Sequence, residues 1–120
     1  MRELPHDPVE YVTMQEVKTH LNLDSADTSE DGYLTILLHA ALLQVSNDTN
    51  RTLYPEGQTP DTTKVNPIVI TKALVVAALL LVAHWYENRE AVVVGVSVTN
   101  TPYAYTMLIG SHRVYQSGVI

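Results

Sequence analysis

The chain has 120 residues, 46% hydrophobic and 17% charged, long enough to bury a core and too apolar to stay disordered. Its 7 Lys and Arg against 13 Asp and Glu leave a net charge of −6, so it lacks the basic stripe that neutralises a phosphate backbone. The absence of cysteine excludes disulfides, thiolate metal sites and Cys nucleophiles, and fits a reducing compartment.

In chain order, residues 1–11 read as a flexible leader, with Arg2, Glu3, Pro5 and Asp7 where a signal peptide would carry an apolar run. Thr13 and Glu16 then form a capping box, with Val12 and Val17 at the staple positions, and predict a first helix over residues 13–21. Met14, Val17 and Leu21 must pack for so short a helix to hold, and Asn22 and Asp24 favour its ending in a turn. After an acidic loop, a second helix is predicted over residues 31–51. Leu34, Leu37, Leu38, Ala41 and Val45 share one stripe at the helical period, while Thr35, His39, Ser46 and Asn50 lie on a polar arc. Ile36 and Leu43 sit off the main stripe beside Ala40, a second apolar strip that covers either a loop or a neighbouring subunit.

Residues 55–66 are a polar loop, and Asn66-Pro67 has the form of an N-cap followed by proline at the first helical position. This predicts a third helix over residues 67–90. From Ile68 to Ala83 its only polar residues are Thr71 and Lys72, so its middle turns are apolar all round and need to be surrounded. Three shorter partners would struggle to enclose it, which points to neighbouring subunits. The apolar run of residues 73–83 falls well short of the roughly 20 residues of a membrane span. Val92, Val93, Val94, Val96 and Val98 are β-branched and Gly95 interrupts them, predicting an extended arm or short strand. That arm either reaches a neighbour or folds back on its own subunit. Thr101-Pro102 starts a fourth helix over residues 102–110, and residues 111–120 form an extended tail. The expected fold class is all-α, four helices in a single domain.

Little here suggests chemistry. His84 and Glu87 are three apart on one helix, but the order lacks the second helical histidine of a zinc protease and reverses the Glu-x-x-His of di-iron bundles. No Gly-x-Ser-x-Gly elbow or Gly-x-x-x-x-Gly-Lys loop occurs. Asp24, Asp27, Glu30 and Asp31 lack the ligand spacing of a calcium loop. The expectation is therefore no enzyme, no metal and no cofactor. Trp85, Tyr86 and Arg89 are instead residue types found at the centres of protein interfaces.

One resemblance covers most of the chain. Residues 12–24, Val-Thr-Met-Gln-Glu-Val-Lys-Thr-His-Leu-Asn-Leu-Asp, resemble the opening helix of the small head–tail connector (head-completion adaptor) proteins of tailed bacteriophages. Asp31-Gly32-Tyr33-Leu34, leading into Ala40-Ala41, resembles their second helix. Leu79 to Glu90, ending Ala-His-Trp-Tyr-Glu-Asn-Arg-Glu, is very similar to the close of their long helix. Pro102, Ala104, Leu108-Ile109 and Arg113 resemble the proline-led last helix and final arginine, although Ser111-His112-Arg113 stands where the family often has Pro-Tyr-Arg.

The resemblance implies a mostly helical subunit of a homo-oligomeric ring of about a dozen copies, closed by cyclic symmetry. Such a ring sits below the portal protein, extends the DNA channel without binding DNA specifically, and docks the next head-completion or tail protein. The subunit is expected to assemble in the host cytoplasm, to reside in the virion and to have no membrane partner. Subunit contacts are expected at Ile36, Leu43, Trp85, Tyr86, Arg89, Val92, Val93, Val94, Val96 and Val98. Docking on the portal or next ring is expected at Arg113, Tyr115, Val119 and Ile120. The alternative is a small helical regulatory or protein-binding module acting as a monomer or dimer.

Overall fold

A computed structural model describes residues 4–88 and 103–114. The described residues are mostly helical, in the order α1 (Pro8–Tyr11), α2 (Met14–His20), α3 (Asp31–Thr49), β1 (Leu53–Tyr54), β2 (Ile68–Val69), α4 (Lys72–Glu87) and α5 (Tyr103–Gly110). The all-α expectation holds, with α2, α3 and α5 close to their predicted bounds.

Residues 8–11, part of the expected leader, instead form the turn α1, opened by Pro8 and closed by a Glu10 carboxylate that accepts from the Asp7 N–H at 3.1 Å. Tyr11 at its end is buried, and its hydroxyl donates to the Leu53 carbonyl at 2.8 Å. In α2 the predicted cap is present, Thr13 Oγ1 accepting from the Glu16 N–H at 3.2 Å. The predicted α3 stripe is buried throughout, joined by Leu42 and Thr49. This helix stops at Asn50, which takes a left-handed conformation at φ 56° so that the Arg51 N–H can reach the Ser46 carbonyl at 3.1 Å.

The start of the third predicted helix is corrected. Pro67 does not open it; Ile68 and Val69 are a strand paired in parallel with Leu53 and Tyr54, and α4 begins only at Lys72. Two forces outweigh the Asn-Pro signature. Ile68, Val69 and Ile70 are β-branched and suit an extended chain. The backbone bonds Ile68 N–H to Thr52 O at 2.9 Å and Ile70 N–H to Tyr54 O at 2.8 Å satisfy it there. Asn66 adopts φ 43° and spends its side chain on the Asn50 carbonyl at 2.9 Å, so it serves the turn and not a helix. Thr71 is the actual cap, its hydroxyl accepting from the Leu74 N–H at 3.3 Å.

α4 is the central element, packed against α2, α3 and α5. Leu74, Ala77, Ala78, Leu81 and Val82 are buried in these contacts. Among the described residues α4 is covered on that side: Val76 on the other is 44% exposed, and Ala73, Leu80 and Ala83 are half-buried. No described helix is long and apolar enough to cross a membrane.

Candidate assembly surfaces

The outer side of α3 carries the second apolar strip. Leu34, Leu38, Ala41 and Val45 turn inward, which by the 3.6-residue period leaves Ile36 and Ala40 outward. Ile36 is 67% exposed, Ala40 is exposed and Leu43 is half-buried. Nothing among the described residues covers Ile36. An isolated exposed isoleucine is unremarkable, but one aligned with Ala40 and Leu43 gives an apolar strip.

The end of α4 is tied into its own subunit. Trp85 is half-buried and packs against the core. The Tyr86 hydroxyl donates to Glu30 Oε2 at 2.5 Å, and its ring lies 6.4 Å from that of Tyr33 at a tilt of 41°. Tyr86 thus joins the end of α4 to the start of α3, so its polar tip is engaged within the subunit. Arg89, Val92, Val93, Val94, Val96 and Val98 lie outside the described residues, as do Tyr115, Val119 and Ile120.

Beside Glu30, the acidic loop is organised by a residue that sequence reasoning missed. Lys18 is only 3% exposed. Its ammonium donates to the carbonyls of Asp27 at 2.8 Å and Ser25 at 3.3 Å, and pairs with Asp31 Oδ1 at 2.7 Å. Two hydrogen bonds to carbonyls and one ion pair make a buried lysine tolerable. The carboxylates of Asp24 and Asp27 accept from the Ala26 and Ser29 N–H groups, each at 3.0 Å. The Ser29 N–H holds the Asp27 carboxyl below its ordinary range. The loop's oxygens therefore serve local turns and an internal ammonium. The signal was available: Lys18 lies four residues after Met14 on the packed side of α2, with an acidic loop just downstream.

Arg113 also has an internal role. The segment after α5 folds across the C-terminal end of α3, where the Arg113 Nε donates to the Asp48 carbonyl at 2.8 Å and the Val114 N–H to the Thr49 carbonyl at 2.8 Å. Arg51 Nε reaches the His112 carbonyl at 2.6 Å, and the buried Tyr105 donates its hydroxyl to Asp48 Oδ2 at 2.5 Å. Burial pushes the Tyr105 hydroxyl well above its ordinary pKa, with the Asp48 contact adding to it. The Arg113 guanidinium thus meets a carbonyl at the negative end of the α3 dipole, while Arg51, just past that end, holds the segment after α5. The start of the tail is fixed to the body by this clamp.

Among the described residues no three His, Asp or Glu side chains converge as a cation site. The Nε2 of His84 is buried and has no hydrogen-bond partner among the described residues, while Glu87 on the same helix is exposed.

A family model described as phage gp6-like head–tail connector protein matches residues 11–113, nearly the whole chain. No curated protein and no solved structure matches it.

Proposed function

The chain belongs to the phage gp6-like head–tail connector family, and on that footing we propose that it acts as a ring subunit between the portal and the next head-completion or tail protein. The observation that carries this reading is the family match across residues 11–113; connectors of this family are structural parts of the head–tail interface that work with other phage head and tail proteins. In the proposed ring, about a dozen subunits close by cyclic symmetry around the DNA channel. The Ile36–Ala40–Leu43 strip and the exposed side of α4 supply apolar contact area, consistent with a subunit that needs neighbours.

The valine-rich stretch of residues 92–98 reaches the adjacent subunit, and residues 115–120 leave the clamp to dock on the portal or next ring. Acidic charge facing the lumen repels phosphates, so that DNA passes through without being gripped.

The test is assembly. Size exclusion coupled to light scattering, with the chain alone and after incubation with portal particles, should give a species about a dozen times the 13.3 kDa subunit mass in at least one condition. A chain that stays monomeric or dimeric in both and does not bind portal particles would overturn the ring reading and favour a small protein-binding module.

A further inference from the structure

Helices α3 and α4 run antiparallel. Tyr86 and Glu30 join them at one end of the pair. At the other end His112 spans both, its carbonyl taking the Arg51 Nε–H at 2.6 Å and its Nε2 lying 3.1 Å from Thr71 Oγ1. Charge is divided between these ends. Asp24, Asp27, Glu30, Asp31 and Glu87 gather at the first, with the buried Lys18 among them. The other Lys and Arg of the described residues, Arg51, Lys64, Lys72 and Arg113, gather at the second. Arg51 and Arg113 belong to the clamp, Lys72 follows Thr71, and Lys64 precedes Val65, whose carbonyl takes the Thr52 N–H at 2.9 Å.

Arg51, Lys64 and Lys72 lack an ion pair among the described residues. The carboxylates nearby are engaged elsewhere: Asp48 accepts from the Tyr105 hydroxyl and the Gln44 amide, and Asp61 from the Thr63 hydroxyl and N–H. Glu56 borders the same cavity as Lys72 without pairing to it. Arg51 is half-buried and spends only its Nε, on a carbonyl, so its two Nη groups have no partner among the described residues. Lys72 is the first residue of α4, where the positive end of the helix dipole disfavours a cation and no acidic residue in the first turn offsets it. A half-buried guanidinium and a lysine at a helix start are thus local costs without local compensation.

We propose that this end of the subunit is a docking face for a carboxylate-bearing surface of the protein next to the ring, with Arg51, Lys64 and Lys72 pairing with its Asp and Glu side chains. The proposal rests on the ring reading and adds the face and the chemistry of the contact. The planar fork of a guanidinium with both Nη groups open matches a carboxylate. Position agrees, because residues 115–120 continue from Val114 at this same end. Those residues carry no charged side chain, so the charges of the contact come from the body of the subunit. DNA fits the face less well. A phosphate backbone calls for a continuous basic stripe, whereas Asp48, Glu56 and Asp61 interrupt these cations in a chain of net charge −6. Interspersed signs suit a protein whose own charges are placed one by one.

The test reverses two exposed charges outside the clamp, Lys64→Glu with Lys72→Glu, in the full-length chain. Parent and variant are titrated onto portal particles and, separately, onto tail particles, at about 0.1 M and 1 M salt. The parent should bind one of the two, less tightly at high salt. The variant should bind that particle about tenfold more weakly at low salt, with the difference shrinking at high salt. Its urea midpoint should not fall, since a carboxylate suits the start of α4. If the reversal unsettles the fold, Lys64→Gln and Lys72→Gln carry the test, each weakening docking severalfold. Glu87→Lys, at the opposite end, should dock as the parent does. Variant binding within about twofold of the parent, or a loss caused by Glu87→Lys instead, would overturn the proposal. So would a variant that loses affinity for duplex DNA while docking is intact, which would mark a phosphate-binding face. A chain that forms rings but binds neither particle also overturns it and leaves the ring standing. A chain that neither forms rings nor binds strikes the ring reading itself, and the docking face falls with it.

Discussion

Lys18 shows how one side chain can replace what a bound cation does elsewhere. Its ammonium gathers two loop carbonyls and the Asp31 carboxylate, so an acidic loop that would otherwise repel itself is held closed. Lys18→Met keeps the apolar stem and removes the charge, stranding those acceptors. Because Asp31 is 38% exposed, part of its lost pairing is recovered from water, and the expected cost is about 1–3 kcal/mol. Urea unfolding should show a lower midpoint with helicity retained before the transition; an unchanged midpoint would remove Lys18 from its organising role. Tyr11 gives a second residue-scale expectation. Burial raises its hydroxyl to about 12 from the ordinary 10.0. Its folded-state value exceeds the unfolded one, so between these two pH values the folded chain holds a proton that the unfolded chain has released. Stability is therefore full below about pH 10 and declines as pH rises towards 12, by up to roughly 2–3 kcal/mol from this group. Tyr11→Phe should lower the urea midpoint at neutral pH, through the lost bond to Leu53, yet flatten the decline between pH 10 and 12. An equally steep decline in the variant would refute the assignment.

Among the elements, local signals and long-range ones parted company at one place. Thr13–Glu16, the α3 stripe and the proline-led start of α5 are readable because cap, period and turn chemistry all lie within a few residues of one another. The two-stranded parallel pair is not, since residues 53–54 find residues 68–69 only through a crossover of about a dozen residues. Asn66-Pro67 therefore imitates a helix start that tertiary pairing overrides. The candidate surfaces divide in the same way: the exposed Ile36 strip follows from the helical period, whereas the engagement of Tyr86 by Glu30 and of Arg113 by Asp48 joins residues far apart in sequence. The clamp on α3 is open to a direct measurement. Arg113→Ala removes a charge-assisted bond at a helix C-terminus, and its exposed setting limits the cost to about 0.5–1 kcal/mol. The sharper readout is amide exchange at Val114, whose N–H is held by Thr49 at 2.8 Å and should exchange severalfold faster once the segment loosens. Exchange at Val114 equal to that of the unsubstituted chain would mean that Arg51 and Tyr105 hold the segment without Arg113.

Taken as a whole, the molecule combines surplus apolar surface with a net charge of −6, and these pull association in opposite directions. In the proposed ring, bringing about a dozen such subunits together would concentrate like charge, while the Ile36 strip and the exposed side of α4 would gain by leaving water. Screening weakens the repulsion and leaves the apolar term intact, since the Debye length falls from ~10 Å at 0.1 M salt to ~3 Å at 1 M. Ring assembly should therefore be promoted by added salt, with the ring fraction in light scattering rising several-fold across that range. Association with DNA should show no matching gain, because contacts to phosphate weaken as salt increases. The two responses separate the driving forces cleanly when combined with Ile36→Glu. At 67% exposure the new carboxylate costs the subunit fold little, so its unfolding midpoint should stay within about 0.5 kcal/mol of the parent. In a ring, the same carboxylate would be buried in an apolar contact, and assembly should then be lost at 0.1 M and only partly restored near 1 M. If Ile36→Glu assembles as readily as the parent at both salts, the α3 strip faces solvent in the ring, and the apolar contact must be sought on the α4 side.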